Sequence, residues 1–414
     1  MLIAMEDDSS LEPGDDAGLR RRAEEVGDRL QRAIESLVAE LGRRGIHDQR
    51  SIQVAFNLSQ ATTSKLLSSV RRADPLATLS LIPGPEALEQ MVGGAALAGV
   101  GREILAGVED AIHKLRAFVD GEVGSRSTLD AMLSDWVQES RASFELRHKA
   151  AAFKSMSAVR GVRADLVFNA GIVHPSARPE VHDCIGIDAL FGCRRVRPSG
   201  TLRLTGAHMP PPGSSFELTG MDGKPIQSMH DLLLSDYSTL PAARIQTQRY
   251  DHLLESTVSD LPLGQRAARG HDIVCAQVFR GLHRARRGNG GRTAGFAGQA
   301  EPPTECFVID ALLHDDIWPD ARPELSLFDT VVRGIAHPDD PWRQADRLDM
   351  VEQVQSLGRG PDAFRLPEFP RYPELVRQLC ARVGWDASRL RGWRVRVRYP
   401  IYGAQVGLAF PLPV

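Results

Sequence analysis

The apolar spacing of this chain changes near Val159, and that change limits the folds open to it. Before it, apolar residues recur at three- and four-residue steps, the spacing of one helix face. Val26, Leu30, Ile34, Leu37, Val38 and Leu41 predict an amphipathic helix over 19–42. Ile104, Leu105, Val108, Ile112, Leu115 and Val119 predict a second over 100–119, and Leu129, Leu133, Trp136, Val137, Phe144 and Leu146 extend the pattern over 127–158. Asp74-Pro75 and Pro83-Gly84-Pro85-Glu86 each open a further helix, with proline in the first turn, where its missing N–H costs nothing.

After Val159, proline and glycine become dense and the apolar runs shorten. Residues 165–168, 201–205, 216–218, 272–275 and 307–309 read as strands. Trp393, Val395, Val397 and Tyr399 alternate with Arg394, Arg396 and Arg398. With 406–410, across Pro400 and Gly403, this run reads as a hairpin. Its basic face is then solvated, or contacts nucleic acid or an anionic ligand. Helices are expected at 240–257, 343–357 and 373–383, and a long mobile loop at 284–303, where three arginines precede a glycine-rich run. The fold class is a multidomain α+β protein. An acidic tail (1–18), disordered in this reading, precedes an all-α domain (19–98), a helical connector (99–158) and a β-rich α+β domain (159–414). At 414 residues the chain is too long for one ordinary core.

One stretch carries a functional signal. Residues 51–67 read as two short helices joined by a tight turn. Ser51 and Ser59 are placed to cap them, since a serine hydroxyl accepts from an unpaired first-turn N–H. Asn57 lies between, and asparagine tolerates the left-handed conformation that a sharp reversal needs. The second helix begins with small polar residues, then Leu66 and Leu67 supply an apolar base. The run Leu58-Ser59-Gln60-Ala61-Thr62-Thr63-Ser64-Lys65-Leu66-Leu67 resembles the turn and recognition helix of bacterial helix-turn-helix regulators. Gln53 stands where that family usually has alanine, Asn57 where it has glycine, and Thr63 where it has valine or isoleucine. The resemblance covers about a twentieth of the chain and implies a recognition helix over about 59–72.

Charge adds to this. Fifty Lys and Arg stand against 53 Asp and Glu, a net charge of −3, so nucleic-acid contact requires a local patch. Residues 43–72 hold Arg43, Arg44, Arg50, Lys65, Arg71 and Arg72 against Asp48 alone. In this reading Ser59, Gln60, Ala61, Thr62, Ser64 and Lys65 face bases and phosphates, and Arg43, Arg44, Arg71 and Arg72 neutralise the backbone. The double-stranded DNA partner implies a homodimer on two half-sites, with the helices of 100–158 as its seam.

Other chemistry is weakly signalled. Five scattered cysteines favour a reducing cytoplasm over a disulfide framework. No apolar run is long enough to span a bilayer. His174, His182, Cys184 and Cys193 lie close in sequence but lack a paired-cysteine zinc spacing, and His314-Asp315-Asp316 and His337-Pro338-Asp339-Asp340 read as polar loops. No cofactor, metal or catalytic residue is assigned, since no nucleophile elbow, phosphate loop or dinucleotide fingerprint is present. Cys184-Ile185-Gly186-Ile187-Asp188-Ala189-Leu190 echoes Cys306-Phe307-Val308-Ile309-Asp310-Ala311-Leu312, from either an internal duplication or two similar buried strands. The expectation is a sequence-specific DNA-binding transcription regulator whose C-terminal domain senses a ligand or protein effector. The alternative is an enzyme or self-assembly protein whose helical half only docks or oligomerises.

Overall fold

The structure, a computed structural model, describes residues 16–204, 210, 213–250, 253–263, 270–288 and 291–414. Two compact units divide the chain, Met1–Glu145 and Leu146–Val414. A helical region comes first and a β-rich region with mixed sheets follows, as the change in apolar spacing predicts.

Helices α1 (Asp16–Arg43), α2 (Gln49–Phe56), α3 (Gln60–Ser69), α4 (Pro75–Leu81), α5 (Pro85–Leu97), α6 (Arg102–Phe118), α7 (Arg126–Trp136) and α8 (Gln138–Arg160) come in order, with a π-helical turn at Val119–Val123. The α1 stripe of Leu30, Ile34, Leu37 and Leu41 is fully buried, in one cluster with Phe56, Leu66, Leu79, Leu88 and Met91. The helix starts at Asp16, so the expected tail loses its last three residues to α1, and 1–15 lie outside the described residues. The stripe expected to form a dimer seam is used inside this same core. Val108, Ala111, Ile112 and Leu115 of α6 and Leu129 and Leu133 of α7 all belong to it. The expected 127–158 stretch is two helices, parted where Val137 turns to an extended conformation (φ −121°, ψ 96°).

The second unit begins inside α8, upstream of Val159. The C-terminal half of that helix packs on the β-rich unit. Lys149 pairs there with Glu352, and the Phe153 ring packs against that of Tyr399, tilted, at 5.3 Å. Strands β1 (Val162–Pro175), β2 (Val181–Arg195), β3 (Leu202–Leu204), β4 (Glu217–Thr219), β5 (Gln246–Tyr250), β6 (Leu253–Val258), β7 (His271–Arg284), β8 (Thr293–Gln299), β9 (Thr304–His314), β10 (Glu324–Phe328), β11 (Gln355–Arg359), β12 (Leu390–Arg398) and β13 (Gln405–Pro411) follow, with α9 at Tyr372–Arg382. They form a seven-stranded sheet in the order β11-β12-β9-β1-β2-β7-β4 and two three-stranded sheets, β10-β13-β8 and β3-β6-β5. The β1–β9 pair is parallel, and the other pairs are antiparallel.

Alternation sorts the large sheet's side chains onto two faces. One face carries Phe168, Ala170, Ile187, Val274 and Val308, covered by Tyr372, Leu375, Val376 and Leu379 of α9. The other has two covers. Val167, Phe307, Ile309 and Val395 pack against the β10-β13-β8 sheet, while Ala164, Cys193, Ile273 and Cys275 pack against the β3-β6-β5 sheet and the 226–240 segment.

Several sequence expectations fail here, each for a definable reason. The 240–257 helix is instead β5 and β6. The inward positions of β6 are Leu254, Ser256 and Val258, and the buried Ser256, held by Thr247 at 2.9 Å, disguises the period of two. The 343–357 helix is a 3-10 turn, Pro341–Asp346, followed by β11. Arg343 is buried there and donates to the carbonyls of Asp329, Arg333, Gly334 and Ile335. Within the 284–303 loop lies β8. The β12/β13 hairpin does not form, because β12 joins β9 and β11 while β13 joins β8 and β10. Of the β12 basic face only Arg398 is exposed. Arg394 bonds both oxygens of Asp310 at 2.7 Å under the α9 layer, and Arg396 is bonded to Glu368. The echoed runs lie in β2 and β9, on either side of β1, antiparallel and parallel to it respectively. Asp188 faces Asn169, whereas Asp310 faces Ala170, so the matching aspartates point to opposite faces.

Candidate functional site

The α2–α3 pair is built from local chemistry. Asp48, not Ser51, caps α2, accepting from the Arg50 and Ser51 amides at 2.9 and 3.0 Å, and the Ser51 hydroxyl donates to Asp48. Asn57 then adopts the left-handed conformation (φ 53°, ψ 40°) and reverses the chain. Ser59 caps α3, accepting from the Thr62 amide at 3.1 Å. Thr63 is fully buried and donates its hydroxyl to the Ser59 carbonyl at 3.0 Å, so threonine serves where a larger aliphatic residue is usual. A Cβ on Gly94 would lie 2.2 Å from the Ala55 carbonyl oxygen, so only glycine lets α5 approach α2 this closely.

This packing turns one side of α3 inward through Thr63, Leu66 and Ser69 and leaves the other outward. Ser59, Gln60, Ala61, Ser64 and Lys65 are exposed. Thr62 is half-buried, and its hydroxyl is 2.8 Å from that of Ser59. The arginines differ. Arg43 and Arg44 share Glu40, at 2.6 and 2.9 Å, and these bonds hold the Glu40 carboxyl below its ordinary pKa. Arg72 pairs with Glu139 at 2.7 Å. Arg50, Lys65 and Arg71 are exposed and hold no ion pair among the described residues. An exposed ion pair contributes about 0–1 kcal/mol, so a phosphate can exchange for Glu139 at little cost, whereas Glu40 is half-buried and shared by two arginines.

No protein-family model matches the chain, and no curated protein matches it. What it does must therefore be argued from its own geometry.

A second feature lies in the β-rich unit, where the two covers of the large sheet leave a gap. The gap is a cavity of about 380 Å³. Its floor is one face of three adjacent strands. Asn169 of β1 stands opposite Asp188 of β2, Gly171 opposite Gly186, and Gly186 opposite Gln277 of β7. Phe279 and Phe296 stand in the walls, with Met229 and Leu232 from the other cover. A Cβ on Gly171 would lie 2.0 Å from the Phe296 ring, so glycine is what lets β8 lay that ring against the sheet.

Asp188 is exposed and lines this cavity. Its Oδ1 accepts from Asn169 at 2.5 Å, and its Oδ2 has only a long contact, 3.5 Å, to Gln277. Burial raises its pKa, and the Asn169 bond only partly opposes this. Glu301, also in the lining, is matched by Arg160 at 3.4 Å and the Tyr402 hydroxyl at 3.0 Å. Burial, with a smaller contribution from His182, pushes the lining His283 down to about 4, so it is neutral at pH 7. Sequence reasoning singled out Asp188 only within the echo and missed Asn169 and Gln277. The available signal was three polar side chains at inward positions of apolar strands.

The residues weighed as metal ligands have other roles. His174 stacks on Trp385 at 4.6 Å, Asp315 and Asp316 bond Arg359 and Arg389, and Asp339 and Asp340 accept from backbone amides. Among the described residues, no three His, Cys, Asp or Glu side chains converge as a metal site. No described helix is long and apolar enough to cross a membrane.

Proposed function

We propose that this chain is a sequence-specific DNA-binding transcription regulator, with α3 entering the major groove and the β-rich unit sensing a ligand. The observation that supports it is the outward face of α3. The Asn57 turn and the buried Thr63 and Leu66 fix the helix on its scaffold, and Gln60, Ala61, Ser64 and Lys65 stay exposed. Gln60 can pair bidentately with adenine, and the Ala61 methyl can meet the methyl of thymine. Lys65, Arg50 and Arg71 supply charge for phosphates, and Arg43, Arg44 and Arg72 join them by exchanging carboxylate for phosphate. Specificity at this module size calls for two copies on two half-sites. The dimer surface then lies outside the α6–α7 stripe. Five buried free thiols suit a reducing, cytoplasmic setting.

Selecting bound duplexes from a random pool with the full chain tests this. A half-site repeated about one helical turn away is expected. Lys65→Ala lowers affinity for all sequences alike and reduces the salt slope by about 0.9, whereas Gln60→Ala relaxes preference at one position. Failure to retain any duplex at low salt refutes the reading.

A further inference from the structure

The cavity in the β-rich unit has an unusual balance of hydrogen-bonding groups. Asp188 places a carboxylate on its floor, and among the described residues Oδ2 of that carboxylate has no hydrogen bond shorter than 3.5 Å. The amide oxygens Asn169 Oδ1 and Gln277 Oε1, on the two side chains that touch it, are buried and without hydrogen-bond partners. Among the described lining residues, acceptors therefore outnumber the donors that reach them. No lysine or arginine stands among the described lining residues, and the one histidine there, His283, is neutral at pH 7. The other lining carboxylate, Glu301, already has its arginine and tyrosine. Asp188 is exposed within the cavity, so a ligand seated there meets a carboxylate whose Oδ2 is open and whose charge no described lining residue balances.

The rest of the cavity is apolar and aromatic. Phe279 and Phe296 offer area and π faces, which attract cations. About 380 Å³ lies within the range of small-molecule sites. We infer that this cavity is a binding site for a small organic cation, an amine or guanidine carried on an apolar or aromatic body, with Asp188 as its counter-ion. The charged head donates to Asp188 Oδ2, and to the amide oxygens of Asn169 and Gln277 once those side chains turn toward it. The body lies against Phe279 and Phe296. This deepens the sensing role proposed above by naming the ligand class, but binding itself does not depend on DNA.

Calorimetric titration of the full chain at pH 7.5 tests it without DNA. The probes are phenethylammonium chloride and benzylguanidinium chloride, against the neutral 2-phenylethanol and the anionic phenylacetate. At least one cation is expected to bind about tenfold or more tightly than the alcohol, the difference between a charge-assisted and a neutral hydrogen bond, and phenylacetate weakest of all. Asp188→Asn, which keeps shape and removes charge, reduces the cation to the level of the alcohol. Met229→Trp, on the cavity wall, removes binding of cation and alcohol together. The inference is overturned if the folded chain binds neither cation, if alcohol and cations bind equally, or if Asp188→Asn leaves cation affinity unchanged. Loss of the DNA reading leaves these titrations unaffected. Retained DNA binding without cation binding overturns this inference alone.

Discussion

The helical unit and the β-rich unit handle buried polarity in opposite ways. Among the described residues of the helical unit the buried polar side chains are Thr63, Ser69, Thr78 and Ser134, hydroxyl groups that bond nearby carbonyls. Its core is otherwise apolar. The β-rich unit buries whole charges. Asp310 and Arg394 pair beneath α9, Arg343 ties four loop carbonyls, and Lys149 meets Glu352. A helix satisfies its own backbone, so its core needs only apolar bulk. Irregular connections between sheets leave carbonyls facing inward, and long charged side chains are recruited to satisfy them. The first unit's stability is therefore spread over apolar contacts, while the second adds to its apolar clusters a few buried charges that cannot lose a partner cheaply.

That contrast can be broken by substitution. The largest effect is expected from Asp310→Ala. Burial opposes the charge on Arg394, but its bonds to Asp310 outweigh this and hold the guanidinium above its ordinary pKa. Removing the partner strands a buried cation, at a cost of about 3–5 kcal/mol. Hydrogen exchange should quicken in β9 and β12 and stay unchanged in α1–α5; uniform quickening would deny that the units differ. Leu66→Ala should cost the helical unit about 2–5 kcal/mol, and weaken any DNA binding with it. Replacing Asn57 by alanine at its left-handed position should cost about 1 kcal/mol, and Asn57→Gly should not. Chemical denaturation of both variants measures the difference.

The smallest effect, and one of opposite sign, belongs to Asp188→Asn. Burial raises the folded-state pKa of this carboxyl. Stability linked to it is therefore present below the unfolded value of about 3.9 and lost as pH rises through the folded one. At pH 7 the ionised group is a liability that asparagine lacks. Asp188→Asn should melt higher than the parent at pH 7, by an amount that shrinks toward pH 4. A lower melting point at pH 7 would mean that the carboxylate has a partner within the chain.

Legibility in the sequence follows the same contrast. In the helical unit Leu30, Ile34, Leu37 and Leu41 mark both a period and a core, so one pattern predicts both. The Asn57 turn and the Ser59 cap were also readable, because their chemistry is local. What failed was partnership. The apolar stripe of α6 gave no sign whether it would meet a second copy or its own α1. In the β-rich unit, Arg394 and Ser256 look like outward residues and are inward ones. The cavity was illegible because it belongs to no segment; it exists where two covers fall short of each other on one sheet.

The separation of β12 from β13 bears on how the protein is made. The central strand of the β10-β13-β8 sheet, β13, is the last described strand to leave the ribosome. The helical unit is complete far earlier, and translation at about 5–20 residues per second leaves an interval on the order of tens of seconds. Through that interval the apolar face of β9 waits for its cover. A ribosome stalled short of Gln405 would display a finished helical unit tethered to a sheet with one side open, a nascent chain for chaperones to shield.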